Sequence, residues 1–572
     1  IQNYNNSQER SMSQYPWIAE YEKWNVNPNF VAPDPQATLG QVIEERLQKV
    51  SYKTAFIYLN QKFSFQQIDE FSRKLALFLQ QQGIELGSRI AVMLPNIIQY
   101  PIASFAILRA GYILVNVNPL YTQRELYHQL QDSGAKVLIA LNSTLAQLQQ
   151  LEQCPELTHI IATNATDLVL NTATEPNIPA LTPQQHAFDL LTILNTTQDG
   201  TLHSPPQHQQ DTVILQYTGG TTGLSKGAEL THANILFNVA QNGTVFVSHF
   251  GDRTAQEGEA VLCALPLYHI YGFTICLFSY GLARGFANIL IPNPRDLESL
   301  IDQYQAYRPT VFPGVNTLFN ALAHHPRFQQ LDHSHLKTTT GGGAKVLKAT
   351  ADRWLAVTGR YIYEGYGLSE TSPTATFNPP LSQCFNETIG LPIAGTEIKI
   401  LDEEGQPVGF NEPGEIAIRG PQVMKGYWQQ PEATAKVFTP DGFFLSGDIG
   451  CMNEQGYVTI LDRKKDMILV SGFNVYPNEI EYVLSLHPKV LESAVIGVDD
   501  EKSGQVPKAF IVAKDESLTA QEIQTYLKQQ LTNYKVPKYL QFVQELPKSA
   551  VGKILRRELP RTLDPHDLAQ VS

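Results

Sequence analysis

Residues 213–232 read VILQYTGGTTGLSKGAELTH, and three patterns meet in this stretch. The apolar run VILQY is typical of a buried strand, and the residues after Lys226 resemble the start of a helix. Between them, glycines allow backbone N–H groups to converge, threonine hydroxyls can donate, and Lys226 supplies a mobile charge. The stretch predicts a loop that holds an anion, although composition alone favours a plain Gly/Thr-rich turn equally.

This loop differs from a Walker A loop. Lys226 is followed by Gly227, so the Ser or Thr that ligates magnesium in G-x-x-x-x-G-K-[ST] is missing. The pattern therefore indicates a phosphate loop of another kind.

Strand-like and helix-like segments alternate on both sides of the loop. TAFIYL (54–59), RIAVML (89–94), YILVNVN (112–118) and KVLIAL (136–141) are apolar runs, whereas 71–86 has helical spacing before a final turn. Such alternation is typical of layered α/β domains with parallel strands.

Three later segments depart from this alternation. Residues 166–210 are rich in Thr, Pro, Gln, Asn and His, which predicts a surface insertion or flexible loop. Short strands and turns over 391–462 predict a small β-rich subdomain. The charged run DRKKD (462–466) then precedes a final α/β segment, so the main domain boundary is expected there.

Composition excludes several classes of protein. The net charge of −13 argues against a nucleic-acid binder, because phosphate backbones need clustered Lys and Arg. The five cysteines show no C-x-x-C pair, which suits a reducing compartment. The best candidate for a membrane span, 274–291, is interrupted by Gly281, Arg284, Gly285 and Asn288, so buried core is expected.

The loop sequence YTGGTTGLSKG resembles the phosphate loop of the ANL superfamily of adenylate-forming enzymes. Gly219 and Ser225 stand where the family more often has Ser and Pro. Further motifs resemble the family in the same order along the chain, although each alone is more typical of a turn, a core strand or a charged surface. They are LPLYHIYGF (265–273), TTTGGGAKV (338–346), YEGYGLSET (363–371), FFLSGDIG (443–450), LDRKKDMILVSGF (461–473) and LPKSAVGKILRREL (546–559).

The resemblance implies roles for individual residues. For catalysis it implies Lys553, Glu370 and Thr218, with Glu370 and Thr218 as ligands of Mg²⁺. It implies that Lys465 is the hinge and that His269, Val315 and Gly472 line the acyl and CoA sites. The residues implied to bind ATP or AMP are Thr218, Gly219, Gly220, Thr221, Thr222, Gly223, Lys226, Gly341, Gly342, Gly343, Ala344, Tyr366, Gly367, Ser369, Asp448 and Arg463.

Two nearby basic residues receive a different interpretation. Arg556 and Arg557 are expected to form a solvated or CoA-facing patch. Lys345 lies where an apolar residue or proline is more usual in the family.

The resemblance also implies the architecture. It predicts a large N-terminal domain (1–463) of layered α/β subdomains with the small β-rich subdomain, a hinge at 464–466, and a small mobile C-terminal α/β domain (467–572).

Residues 98–130 and the segments NPRDLESL (293–300), GVNTLFNAL (314–322) and GPQVMKGYW (420–428) are similar to bacterial long-chain fatty-acid–CoA ligases of the FadD type, and the resemblance covers nearly the whole chain. The implied reaction is ATP-dependent activation of a fatty acid to acyl-CoA through an acyl-adenylate, in the cytoplasm. Fatty acid, ATP and CoA are the expected partners, Mg²⁺ the expected cofactor, and nucleic acid is not expected. Peripheral contact with the inner face of the membrane and a homodimer are left open.

Three alternatives are also left open. The first alternative is a ligase that stops at acyl-AMP, and the second is a medium-chain acyl-CoA synthetase. From another class of protein, the third is a lipid-binding or membrane-docking protein without catalysis.

Overall fold

The computed structural model describes residues 15–173, 175–203, 206–218, 225–250, 258–549, 552–562 and 569–570. Strands in this part of the chain form the sheets that we call sheet I, sheet II, sheet III and sheet IV. Sheets I to III lie before residue 464, and sheet IV lies after it. The predicted α/β fold with a β-rich subdomain and a smaller C-terminal part is confirmed.

Sheet I has a parallel centre and antiparallel strands at both edges. Its strands, in spatial order, are Leu391–Pro392, Thr374–Phe377, Ile362–Gly367, Thr338–Gly341, Val311–Gly314, Ala260–Cys263, Ala287–Leu290, Thr54–Tyr58 and Gln61–Ser64.

Sheet II is parallel except for the two strands at one edge. Its strands, in spatial order, are Gly426–Tyr427, Gly227–Thr231, Thr212–Tyr217, Ile113–Asn116, Arg89–Met93, Val137–Leu141, His159–Thr163 and His186–Asp189. The predicted strands at 54–59, 89–94, 112–118 and 136–141 are confirmed with slightly shorter bounds.

Sheet III is the predicted β-rich subdomain and is antiparallel throughout. Its strands are Glu397–Leu401, Gly414–Arg419, Phe444–Met452 and Val458–Arg463.

Sheet IV belongs to the C-terminal part of the chain. Its strands are Phe473–Val475, Ile468–Val470, Gly504–Ala513, Tyr539–Phe542 and Ala569–Gln570, with Val490–Asp500 paired to Gly504–Ala513.

Helices cover the sheets, and several begin at side-chain caps. The predicted helix at 71–86 spans Phe65–Gln81, because Ser64 and Gln67 form a capping box that starts it earlier. The α-helices are Ile18–Lys23, Leu39–Lys49, Phe65–Gln81, Gln99–Arg109, Gln123–Ser133, Asn142–Leu145, Asp167–Leu170, Leu190–Thr196, His232–Phe250, Leu297–Tyr307, Asn316–His324, Pro326–Gln329, Lys348–Thr358, Pro431–Ala435, Pro477–Ser485 and Ala520–Gln530.

Shorter and wider helical turns complete the set. The 3₁₀ segments are Leu151–Gln153, Ser369–Thr371, Pro380–Ser382, Asn533–Lys535 and Arg556–Glu558, and Gly272–Leu282 is a π-helix.

The main core lies between sheets I and II. A layer of helices, including Leu39–Lys49, Phe65–Gln81 and Gln99–Arg109, shares this core with residues of both sheets such as Phe56 and Ile90. Further helices cover the outer face of each sheet. The layers bury apolar surface on both faces of the parallel strands, as such strands require.

The apolar segment 274–291 is buried core, as predicted. Every residue of the π-helix Gly272–Leu282 is buried. A side chain at Gly272 would lie 2.3 Å from the Pro266 carbonyl oxygen, so glycine permits this close packing. Among the helices that the structure describes, none combines the length and apolar character that crossing a membrane requires.

Two local expectations differ from the structure in detail, although a helix, His232–Phe250, does follow the loop. Within the expected insertion 166–210, His186–Asp189 adds a parallel strand to the edge of sheet II, and Leu190–Thr196 buries Leu191 and Leu194. Directly after Lys226 the chain forms the strand Gly227–Thr231 rather than a helix, because it folds back on Thr212–Tyr217.

Candidate functional site

A fully buried carboxylate marks the place where sheets I and III meet. Asp448 lies opposite Arg463 on adjacent strands of sheet III, and Arg463 Nε is 2.7 Å from Asp448 Oδ1. From the end of sheet I, the Tyr366 hydroxyl donates to Asp448 Oδ2 at 2.6 Å. Burial, followed by Asp448, raises the pKa of Tyr366 well above its usual value, so the hydroxyl remains a donor.

Glu370 lies just beyond Tyr366, in the 3₁₀ turn Ser369–Thr371. Its main-chain oxygen accepts from Met424 N at 2.7 Å, and its carboxylate Oε1 accepts from the Tyr427 hydroxyl at 2.9 Å. Burial raises the pKa of Glu370, while the hydrogen bond from Tyr427 acts in the opposite direction. Gly367 permits the sharp approach before this turn, because a Cβ there would lie 1.7 Å from the Pro373 oxygen.

The base of the predicted phosphate loop lies on the other side of Tyr427. Thr218 N donates to the Lys226 oxygen at 3.0 Å, which closes the loop where strands Thr212–Tyr217 and Gly227–Thr231 separate. Lys226 Nζ lies 5.0 Å from the centroid of the Tyr427 ring. The predicted residues Gly219, Gly220, Thr221, Thr222 and Gly223 lie outside the described residues.

The glycines at 341–343 form a tightly packed turn after strand Thr338–Gly341. A Cβ at Gly342 would lie 3.0 Å from the Tyr271 ring, and one at Gly341 would lie 2.6 Å from Val346. Gly343 has a φ of +75°, which favours glycine. Ala344 follows and is half-buried.

Glu364 fixes this turn from the neighbouring strand. Val346 N donates to Glu364 Oε1 at 2.7 Å, and burial raises the pKa of this carboxyl to about 8. The Gly-rich turn therefore rests on a buried carboxyl that the sequence analysis did not single out.

The C-terminal loop brings Lys553 towards Asp448. The Thr317 hydroxyl donates to the Gly552 oxygen at 3.1 Å, and a Cβ at Gly552 would lie 3.2 Å from Val315. Surrounding protein, followed by the charge of Arg463, lowers the pKa of Lys553 to about 8. Part of the residue remains exposed, so the protein shields the ammonium from water only on one side.

His269 is a further titratable group beside this lysine. Burial, followed by Lys553, lowers the pKa of His269 to about 4, so the imidazole is neutral at pH 7. His269 Nδ1 accepts from Tyr271 N at 3.3 Å, which leaves Nε2 as the donor. The structure thus places a neutral imidazole beside Lys553, and Lys553 within electrostatic reach of Asp448.

Two family models match this chain. Residues 43–428 match the model of the AMP-binding enzyme, and residues 479–553 match that of the AMP-binding enzyme C-terminal domain. The chain belongs to the AMP-binding enzyme family. The first match contains Thr218, Tyr366 and Glu370, and the second ends at Lys553.

Two relatives of this AMP-binding enzyme carry the same name. The chain is 45% identical to a long-chain-fatty-acid–CoA ligase from Yersinia pestis, over 93% of this chain and 95% of the relative. It is 38% identical to the protein of that name from Bacillus subtilis (strain 168), over 96% of this chain and 98% of the relative.

Solved structures of similar proteins agree with this fold. The anthranilate CoA ligase AuaEII in complex with anthranoyl-AMP has a TM-score of 0.82 and 26% identity, covering 92% of this chain and 97% of that one. ATP-bound MatB from Rhodopseudomonas palustris has a TM-score of 0.77 and 28% identity, covering 90% of this chain and 97% of that one.

Arg556 corrects one expectation for this AMP-binding enzyme, because it is not a solvated residue. Its guanidinium lies 3.1 Å from Asp462, 3.5 Å from Asp466 and 2.7 Å from Glu481. Burial by itself lowers the pKa of Arg556. The nearby carboxylates of Glu481 and Asp462 outweigh burial and raise this pKa above its usual value. Arg556 therefore ties the segment after Lys553 to both sides of the predicted hinge, whereas Arg557 is exposed as expected.

The remaining predicted residues lie in the C-terminal part or at its border. Lys465 lies in the turn 464–466, between sheet III and sheet IV. Gly472 has a φ of +87° in the exposed turn between strands Ile468–Val470 and Phe473–Val475. Open space surrounds a Cβ built there, so the structure does not bring Gly472 into contact with the residues around Asp448.

Tyr427, Tyr271 and Glu364 are site residues that sequence reasoning missed. Tyr427 and Tyr271 contact the predicted residues Glu370 and Gly342 from distant segments, and Glu364 holds Val346 behind the predicted glycine turn. The motif containing Tyr427, GPQVMKGYW (420–428), gives no chemical signal by itself, because its role comes from strand pairing.

Proposed function

We propose that this chain activates long-chain fatty acids to acyl-CoA, using ATP and CoA and releasing AMP and pyrophosphate. The observation that carries this proposal is the convergence of Asp448, Arg463, Tyr366 and Lys553 at one place. The names of the relatives supply the fatty-acyl substrate, and the adenylate and ATP in the similar solved structures supply the nucleotide.

Asp448 is proposed to hold the ribose. A carboxylate has lone pairs enough to accept from two vicinal hydroxyls, and strand pairing together with Tyr366 and Arg463 holds it in a single position. Tyr366 and the turn 341–344 are proposed to surround the adenine, and Ser369 to contact the α-phosphate.

The other end of the nucleotide is assigned to the phosphate loop. Thr218 and Lys226 lie at the base of this loop, and we assign the β- and γ-phosphates to it together with residues 219–223. Glu370 supplies one buried carboxylate, and Thr218 supplies a hydroxyl; these oxygen donors fit Mg²⁺, which binds through few protein ligands plus phosphates. When bound, Mg²⁺ would neutralise charge on the phosphates.

The first reaction step needs positioning more than proton transfer. The fatty carboxylate is ionised at pH 7, so it attacks the α-phosphate without a general base. The new bond joins carboxylate oxygen to phosphorus, and the bond to pyrophosphate breaks. Lys553 is proposed to stabilise the negative charge that gathers there, since its ammonium lies beside Asp448 and Arg463.

The second step requires a different arrangement. The thiolate of CoA attacks the acyl carbonyl carbon, and AMP leaves as the carbonyl is restored. We propose that the C-terminal part rotates about Lys465, withdrawing Lys553 and bringing Gly472 towards the site. The exposed position of Gly472 and the placement of Lys553 beside Asp448 support the interpretation of this structure as the state for the first step.

Release of AMP in the presence of CoA tests the proposal. We expect AMP release that requires both CoA and a fatty acid and that rises with chain length from short to long acids. Exchange of pyrophosphate without CoA isolates the first step. Pyrophosphate exchange without any CoA-dependent release of AMP would indicate an acyl-AMP ligase, and an optimum at medium length would replace the long-chain assignment. Failure to bind ATP would favour a lipid-binding protein without catalysis.

A further inference from the structure

Tyr427 lies directly behind the base of the phosphate loop. Its strand, Gly426–Tyr427, pairs with Gly227–Thr231, the strand that leaves the loop. Trp428 N donates to the Gly227 oxygen at 2.8 Å, and Tyr427 N donates to Thr434 Oγ1 at 2.9 Å. The main chain of Tyr427 is therefore fixed on both sides.

One side chain contacts two residues of the phosphate end of the site. The Tyr427 hydroxyl donates to Glu370 Oε1 at 2.9 Å, and Lys226 Nζ lies 5.0 Å from the centroid of the same ring. The ring of Tyr427 is thus positioned to orient the lysine as well as the glutamate.

We propose that Tyr427 is a positioning residue for the metal–nucleotide complex. Its hydroxyl donates to one carboxylate oxygen of Glu370 and so fixes the rotation of the carboxylate. The second oxygen is then available as a metal ligand. Its ring face holds the Lys226 ammonium at the end of the loop. The proposal rests on the proposed function, because that function assigns the phosphates and the metal to Glu370 and Lys226.

The expected effects follow from the two contacts. Residues that hydrogen-bond a metal ligand typically change metal affinity by about 10- to 100-fold. A cation over an aromatic ring contributes roughly 2- to 30-fold in affinity. Loss of the Tyr427 hydroxyl should therefore lower the affinity for the metal ion. Loss of the ring should lower the affinity for ATP measured without metal.

The test measures binding to the full chain without fatty acid, so that no reaction occurs. ATP affinity is measured by calorimetry in EDTA and in Mg²⁺, and Mn²⁺ binding to the enzyme–ATP complex is measured by electron paramagnetic resonance. Tyr427→Phe should keep the affinity for ATP in EDTA and weaken Mn²⁺ binding about 10- to 100-fold. Tyr427→Leu should weaken Mn²⁺ binding to a similar extent and also lower ATP affinity in EDTA roughly 2- to 30-fold.

Tyr58→Phe is the matched control. The Tyr58 hydroxyl donates to the Ala165 oxygen at 3.0 Å, away from the site, so its removal is also the loss of one largely buried hydrogen bond. This variant should keep wild-type binding of ATP and Mn²⁺, and its melting temperature should fall about as much as that of Tyr427→Phe.

A double-mutant cycle with Glu370→Gln separates positioning from general destabilisation. If Tyr427 acts through Glu370, adding Tyr427→Phe to Glu370→Gln should weaken Mn²⁺ binding no further. Equal additive losses would overturn the role of the hydroxyl, as would wild-type Mn²⁺ binding by Tyr427→Phe. Equal ATP affinities of Tyr427→Leu and Tyr427→Phe in EDTA would overturn the role of the ring. A wild-type chain that binds no ATP would instead overturn the proposed function.

Discussion

Asp448 and Lys553 lie near each other, but the regions that carry them are held in place by different kinds of contact. Asp448 lies opposite Arg463 in the hydrogen-bonded ladder of sheet III, and Tyr366 meets it from the end of sheet I. Lys553 follows a glycine whose oxygen accepts one hydrogen bond from Thr317. Ladder hydrogen bonds hold Asp448 in its own sheet, whereas the segment of Lys553 is joined to the N-terminal part by this hydrogen bond and by the ion pair of Arg556 with Asp462.

This difference suggests a division of labour. The residues that we assign to the nucleotide are fixed in the N-terminal part and should serve both reaction steps. In the proposed rotation the loop that carries Lys553 leaves the site, so the lysine should serve one step only. Each prediction below separates these two regions.

The largest effect is expected from Lys553→Ala. Loss of the ammonium beside Asp448 should reduce acyl-adenylate formation by about 10³-fold, as removal of a charge-stabilising group typically does. Thioester formation from supplied acyl-AMP should change little. Equal losses in both steps would show that Lys553 does not act in the first step alone.

Lys465→Pro should impair the second reaction step rather than the first, the reverse of Lys553→Ala. A proline in the turn 464–466 restricts its φ and should hold the C-terminal part in one orientation. Adenylate formation should persist, while thioester formation should fall by about 10²-fold, the scale expected for misplaced reacting groups. Lys465→Ala is the control that keeps the turn flexible. Unaltered rates for both steps in the proline variant would contradict rotation about this residue.

Gly552→Ala should disturb only the docking of the C-terminal loop. Gly552 has a φ of +73°, and an added Cβ would lie 2.6 Å from Thr317 Oγ1. The left-handed conformation alone should cost roughly 5- to 30-fold in the docked state. Adenylate formation should fall by that factor and thioester formation should not. Gly359→Ala, with a φ of +69° and no neighbour within 4 Å, is the matched control for backbone strain.

The smallest effect is expected from pH. Because the pKa of Lys553 is lowered to about 8, its charged fraction decreases as pH rises through 8. The kcat/KM of adenylation should decrease about tenfold between pH 7 and pH 9. Whatever activity Lys553→Arg retains should lack this decrease, since guanidinium stays charged. A flat profile for the wild type, or the same decrease in the arginine variant, would assign the titration to another group.

Sequence reasoning located the elements of the site that lie in local motifs. Short apolar runs identified the parallel strands, and Asp448, Glu370 and Lys553 each lie within a recognisable segment. Tyr427 and Glu364 were missed because their contacts arise from strand pairing between segments distant in the chain. Such pairing leaves no signal at the residue itself.

The errors have similar physical causes. Residues 186–196 have a polar neighbourhood, yet the parallel pairing of His186–Asp189 with His159–Thr163 incorporates them in sheet II. Arg556 was expected at the surface from its basic neighbours. Buried Asp462 and half-buried Glu481 attract it instead, and both belong to segments that precede it by 75 residues or more.

The most direct test of the division between the two regions is the affinity for AMP, measured by calorimetry, of Lys553→Ala and Asp448→Asn. Lys553→Ala should bind AMP within about threefold of the wild type, because sheet pairing holds Asp448, Arg463 and Tyr366 without the lysine. Asp448→Asn should bind roughly 10- to 100-fold more weakly, the scale of losing hydrogen bonds to a charged group. Equal weakening in both variants would contradict a nucleotide site that is complete before the C-terminal lysine arrives.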